Sequence, residues 1–156
     1  MSINCVRTLL ENAAHSHGDK IAIKHDNAAI SYSKLLQKVN QVAQYLDELG
    51  LPANTRVGVY SMKSIDLMIA IMAILSTKYV LVPLTKLLQA EQVSYIINDC
   101  DIKVMITVMA NKDIVAGTNF AGKIICYETV KCFILHLSAK QLLNNRERGL
   151  TFSITF

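Results

Sequence analysis

Apolar side chains at Val6, Leu9, Leu10 and Ala13 recur at the i, i+3, i+4, i+7 spacing of one helical face, which predicts an opening helix. After a polar break, Lys20 to Lys24 and Ala28 to Tyr32 carry Ile21, Ile23 and Ile30 on alternating positions around Asp26-Asn27, the pattern of a small hairpin. From Ser31 or Ser33, either of which could cap a helix, Leu35, Val39, Val42, Leu46 and Leu49 form a stripe with Lys34, Lys38, Gln41, Asp47 and Glu48 outside it. Gly50 and Pro52 end that helix.

Arg56 to Tyr60 then reads as a strand, and Ser64 with Asp66 opens a helix running to Leu75. That helix is apolar almost all round, which predicts burial on several sides. Tyr79 to Leu84 is a near-continuous apolar run ending near Pro83, expected as a strand of a buried parallel sheet. A helix over Gln89 to Asn98, a strand over Lys103 to Val108, a polar Gly-containing loop and a strand over Lys123 to Tyr127 extend the alternation. The fold class is therefore α/β: a mostly parallel sheet with helices on both faces and right-handed crossovers. Regularity ends there. Val130 to Leu143 suits either helix or strand, Asn144 to Gly149 is polar, and Leu150 to Phe156 alternates like a strand without a following partner. The chain is accordingly divided into a body, 1–127, and a divergent tail, 128–156.

Composition narrows the class. The 156 residues, 52% hydrophobic and 18% charged, suffice for one domain whose core needs neither disulfide nor metal. The longest apolar run, Leu67 to Leu75, falls short of the roughly 20 residues of a membrane span. The start of the chain lacks the basic and apolar regions of a secretory signal, so a cytoplasmic location is expected. Net charge is +4, yet residues 1–130 hold twelve Lys/Arg against eleven Asp/Glu. The excess sits in Lys131, Lys140, Arg146 and Arg148, without the basic stripe and interleaved aromatics of a nucleic-acid reader, so no nucleic-acid partner is expected. Cys5, Cys100, Cys126 and Cys132 form no CxxC pair and suit a reducing compartment as small apolar side chains.

Candidate chemistry is sparse. Cys126, Cys132 and His136 could be imagined around a metal, but no fourth ligand is spaced nearby, and buried thiols are the better assignment. His15 and His17 read as solvated histidines at a helix end, and Ser31 and Ser33 as capping residues with no His/Asp pair to activate them. Lys78 and Lys86 flank the apolar strand and could attract a phosphate only weakly. Met62, Met68 and Met72 read as core fillers, and Asp47-Glu48 and Asp99/Asp101 as solvated helix ends. No catalytic, cofactor-binding or metal residue is assigned.

Several short motifs stand in a telling order: Leu9-Leu-Glu-Asn-Ala-Ala14, Ile30-Ser-Tyr-Ser-Lys-Leu35, Asn40, Leu49-Gly50, Arg56-Val-Gly-Val59 and Leu75-Ser-Thr-Lys-Tyr-Val-Leu-Val-Pro-Leu84. Over residues 6–108 this order resembles the start of the AMP-forming acyl-adenylate ligases: acyl-CoA synthetases, luciferases and peptide-synthetase adenylation domains. Leu87-Leu-Gln-Ala-Glu-Gln-Val-Ser-Tyr-Ile-Ile-Asn-Asp-Cys100 looks most like the acyl-CoA ligase members. The resemblance implies part of that family's N-terminal region. In the full-length family it implies carboxylate activation by ATP and Mg2+ to an acyl-adenylate, then transfer to a thiol such as coenzyme A.

Three departures matter. Lys78 stands where the family has Gly, which would strain a left-handed turn; Thr85-Lys86 replaces Asp-Pro or Asn-Pro; and no Ser/Thr/Gly-rich loop ending in Pro-Lys-Gly follows Tyr127 to cradle phosphates. The resemblance thus implies an N-terminal portion of such a ligase, inactive alone, whose partner is the missing remainder or a second copy. The alternative is a noncatalytic interaction module derived from the fold.

Overall fold

The computed structural model describes residues 6–128. The expectation of helix or strand over Val130 to Leu143, and the alternation of Leu150 to Phe156, lie outside the described residues. Helix α1, Val6–His17, buries Leu10, and the hairpin strands β1, Ile21–His25, and β2, Ala28–Ser31, pair antiparallel around Asp26-Asn27. Asp26 takes a positive φ of 51°, a conformation that the short side chains Asp and Asn tolerate better than most. Ser31, rather than Ser33, caps helix α2, Tyr32–Glu48: its Oγ accepts from the Lys34 amide at 3.4 Å. Leu35, Val39, Val42, Ala43 and Leu46 form the buried stripe.

Strand β3, Arg56–Ser61, leads through Ser64 into helix α3, Ile65–Leu75, where Ser64 Oγ accepts from the Leu67 amide at 3.0 Å. Strand β4, Val80–Thr85, helix α4, Ala90–Asp99, strand β5, Val104–Thr107, a 3-10 turn over Met109–Asn111, helix α5, Lys112–Ala116, and strand β6, Lys123–Cys126, follow. The four strands β4-β3-β5-β6, in that spatial order, are all parallel.

Alternation along each strand assigns its two faces. Val57, Val59, Val104, Ile106 and Ile125 point into a core shared with α1, α2 and α3. Tyr60, Met105 and Leu84, with Ile124 at their edge, point into a second core built on α4 and α5. The chain steps from β3 to β4 in one direction and returns past β3 to β5. With right-handed crossovers, reversing the direction of travel moves the connecting helix to the opposite face. Accordingly Ile69, Ala70, Ala73 and Ile74 of α3 lie in the first core, and Val93 and Ile97 of α4 in the second.

Two tyrosines, one in β3 and one just before β4, bond to backbone distant in sequence. Tyr60 Oη donates to the Leu88 carbonyl at 3.1 Å, and Tyr79 Oη donates to the Leu46 carbonyl at 3.1 Å. A third link runs along the sheet: Thr107 Oγ1 donates to the Tyr60 carbonyl at 2.7 Å. At Gly58 the second core comes so close that an added Cβ would sit 2.7 Å from Met105 Cε.

Several expectations are corrected. Strand β4, expected in a buried parallel sheet, lies at the edge of that sheet among the described residues: only Leu84 of the strand is buried, while Val80 and Pro83 are exposed. Its apolar run reflects helices above and below, Leu81 packing into the first core and Val82 into the second, and Pro83 suits a strand open on one side. Helix α3 buries four residues, while Met68 and Leu75 remain exposed, because α2 and the sheet cover only part of its circumference. Met62 is 61% exposed and Met68 38%, so neither is a core filler, whereas Met72 is partly buried against the first core.

The expected loop between β5 and β6 contains the 3-10 turn and α5, which buries Val115. Lys78 does not adopt a left-handed conformation; among the described non-glycine residues only Asp26, Asn54, Asp101 and Asn119 do. The turn after α3 closes instead through Ser76 Oγ, which donates to the Met72 carbonyl at 2.7 Å, and Thr77 Oγ1, which donates to the Ile74 carbonyl at 2.6 Å.

Gly122 lies where a Cβ would collide with the Lys103 carbonyl oxygen and the Phe120 ring. A backbone oxygen held by the β5 to β6 connection cannot rotate away as a side chain can. Gly122→Ala is therefore expected to cost about 1–3 kcal/mol, read as a lower urea midpoint at unchanged slope. A midpoint equal to that of the wild type would show that the connection yields freely.

Candidate functional site

In an open parallel sheet, ligands bind outside the carboxyl ends of the strands where the direction of strand order reverses. Here that place is beyond β3 and β5, beside the start of α3. Ser61, Ser64, Asp66, Thr107, Val108 and Tyr127 line a crevice there, over an apolar floor that includes Val59 and Ile106.

The crevice is small and its polar groups are engaged. Its volume is about 10 Å3, roughly the room one water needs. Ser64 Oγ is committed to the Leu67 amide and Thr107 Oγ1 to the Tyr60 carbonyl. Asp66 lies in the first turn of α3, where a carboxylate already complements the positive helix end and opposes entry of a phosphate. Burial pushes the Tyr127 hydroxyl well above the usual tyrosine range, and the negative charge of Asp66 adds to the shift. Tyr127 is therefore a neutral phenol at physiological pH, unsuited to act as a base. A nucleotide does not fit in this crevice.

The other residues weighed from sequence are dispersed. His15 and His17 are exposed in the last turn of α1, and Ser33 lies beside Gly18. Lys78 Nζ lies 5.8 Å from the Tyr79 ring centroid, and Lys86 Nζ lies 3.7 Å from Met62 Sδ. Asp47 and Glu48 are exposed at the end of α2, as is Asp99 at the end of α4. Asp101 pairs with Lys103, whose hydrogen bond lowers the Asp101 carboxyl. Cys126 is buried, and that burial raises its thiol; Cys100 is half-buried, and both are free. Cys5, Cys132 and His136 lie outside the described residues. Among the described residues no three His, Cys, Asp or Glu side chains cluster around a metal-sized space.

The crevice itself was missed from sequence. Its walls come from Ser61, Thr107 and Tyr127, at the ends of three strands, and only the strand order brings them together.

The family model described as AMP-binding enzyme matches residues 10–147. The chain belongs to the AMP-binding enzyme family. Tyrocidine synthase 1 of Brevibacillus parabrevis is 31% identical over 120 residues, covering 77% of this chain and 11% of that protein. The chain thus spans about a tenth of that relative's length. In fold it resembles the NpsA N-terminal subdomain of Klebsiella oxytoca, with a TM-score of 0.71 at 17% identity, covering 81% of this chain and 32% of that one. It also resembles the anthranilate CoA ligase AuaEII, whose structure holds anthranoyl-AMP, with a TM-score of 0.70 at 20% identity, covering 78% and 25%. The α/β arrangement is therefore that of part of an AMP-binding enzyme. No helix among the described residues is long and apolar enough to cross a membrane.

The buried phenol gives a pH test. Tyr127 holds its proton to higher pH in the folded chain than in the unfolded one, whose tyrosine titrates near 10.0. The folded state therefore binds more protons above that pH, and stability falls as pH rises past it while remaining whole below. Tyr127→Phe is expected to flatten the loss of urea midpoint between pH 8 and pH 10.5, pH values chosen to bracket about 10. An unchanged slope would mean that other groups carry the alkaline loss.

Proposed function

We propose that this chain forms the N-terminal part of an ATP-dependent, adenylate-forming ligase and is inactive without the rest of such an enzyme. The observation that carries the reading is the AMP-binding family match over residues 10–147. In the whole ligase, a substrate carboxylate would attack the α-phosphate of ATP with Mg2+ present, releasing pyrophosphate, and the acyl group would pass to a thiol such as coenzyme A. The described residues contribute scaffold: a sheet covered on both faces, with a crevice too small for a nucleotide. The crevice does not accommodate ATP, and no step of the reaction is assigned to the described residues.

The division into a body over 1–127 and a tail over 128–156 belongs to the same reading, supported by the regular alternation of helices and strands through β6. So does a cytoplasmic location, supported by the free Cys100 and Cys126. Partial exposure of α3 and the edge at β4, unpaired among the described residues, favour association, with the remainder of the ligase or with a second copy. The same surfaces favour the second reading, a noncatalytic interaction module.

The purified chain is expected to show no carboxylate-dependent exchange of pyrophosphate into ATP across a panel of fatty, aryl and amino acids. Co-expression with a neighbouring coding segment that carries a Ser/Thr/Gly-rich loop ending in Pro-Lys-Gly is expected to restore exchange that neither piece supports alone. Exchange by the chain alone would overturn the claim of inactivity. Failure of every such co-expressed segment to restore it would favour the interaction module.

A further inference from the structure

A larger open space adjoins the crevice at Ser61 and Leu67, across the ends of β3 and β4. A groove of about 910 Å3 runs between the segment after β3, Ser61 to Lys63, and the segment Pro83 to Leu87 at the end of β4. Met62, Leu67, Pro83, Leu84 and Leu87 give it apolar walls. Leu87 is 86% exposed and Met62 61%, so two large apolar side chains stand in water at its rim. Monomeric surfaces seldom concentrate such exposure without a partner for it.

The charges around the groove have one sign in excess. Lys63 and Lys86 border it, and among the described residues neither has a carboxylate partner. Lys86 Nζ reaches only the Met62 sulfur. The one carboxylate at the groove, Asp26, is 3.3 Å from His25 Nδ1 on the same hairpin. Beyond His25 a second depression is lined by Lys34 and Lys38, with Asp66 as its carboxylate. The groove is open rather than enclosed, which suits a chain laid along it better than a small molecule that needs most of its surface buried.

We infer that this groove is a docking surface for an acidic, amphipathic segment of a partner protein, its apolar side chains against Met62, Leu67 and Leu87 and its carboxylates against Lys63 and Lys86. Helix-in-groove recognition has this form: apolar anchors give the affinity and the charged rim gives orientation and encounter rate. The inference does not depend on the ligase reading, and loss of one leaves the other standing.

The test uses the full chain and a fluorescein-labelled synthetic peptide with Leu at i, i+3, i+4 and i+7 and Glu between them. Fluorescence anisotropy is expected to show saturable binding that weakens with added salt. It should also weaken when Lys replaces Glu or Ser replaces Leu in the peptide. Lys63→Glu with Lys86→Glu is expected to weaken the acidic peptide by at least about tenfold, equivalent to about 1.4 kcal/mol, and to strengthen the Lys-containing one. Leu87→Ser should weaken both. Because these positions are exposed, melting temperatures should stay unchanged; if the double variant melts lower, Lys63→Gln with Lys86→Gln takes its place. Absence of binding, equal affinity for the acidic and basic peptides, or affinity untouched by the lysine changes would overturn the inference. Displacement of the peptide by decanoate below its micelle concentration would overturn it too, by assigning the groove to a small amphiphile.

Discussion

Strand β3 must be covered on all four sides at once, and the rest of the molecule follows from that requirement. Its amide and carbonyl groups are paired with β4 on one side and β5 on the other. Its side chains alternate between two separate cores, Val57 and Val59 into one and Tyr60 into the other. An unpaired backbone group in such surroundings would cost about as much as a lost buried hydrogen bond, so neighbours on both sides are obligatory. Chain connectivity then leaves few choices: α3 has to lie on one face and α4 on the other for both crossovers to be right-handed. Tyr60 and Thr107 add the polar links that fix how β3 sits against its neighbour and the loop before α4.

Local order was readable from residue pattern because it rests on short-range physics. Ser64 before an apolar helix, the Leu35 to Leu46 stripe and Asp26-Asn27 between alternating segments are each satisfied within a few residues. What was not readable depends on neighbours distant in sequence. Tyr79 to Leu84 carries the apolar content of a strand in a buried sheet, but content reports coverage of its faces and says nothing about its place in the strand order. The circumference of α3 left open, and the exposure of Met62, likewise depend on what packs there. Helix α5 escaped notice because five residues are too few to establish a period. The turn at Lys78 avoids the left-handed conformation that would be costly for Lys: hydroxyls of Ser76 and Thr77 close it without the backbone conformation that Gly would supply.

The crevice beyond β3 and β5 illustrates the difference between a favourable location and a working site. The fold places helix and strand ends together there, as in many ligand-binding sheets. The side chains then close it: Asp66 supplies the negative charge at the helix end, and Ser64 and Thr107 are bonded within the chain. This is consistent with a portion of an AMP-binding enzyme whose sheet supports a site rather than forming it, and membership in the family is decided by the extent of the match rather than by chemistry in this crevice.

The close approach at Gly58 has an evolutionary consequence. The space that a Cβ would occupy is filled by the end of Met105, one strand away and 47 residues later in the chain, so the two positions share one volume. A lineage can enlarge residue 58 only after residue 105 has shortened or swung aside, and a shorter residue 105 leaves a hole until residue 58 grows. Among descendants of this chain the pair should therefore change together, small against long, and the order of the two steps is constrained because overpacking and cavity formation each weaken the sheet at its central strand.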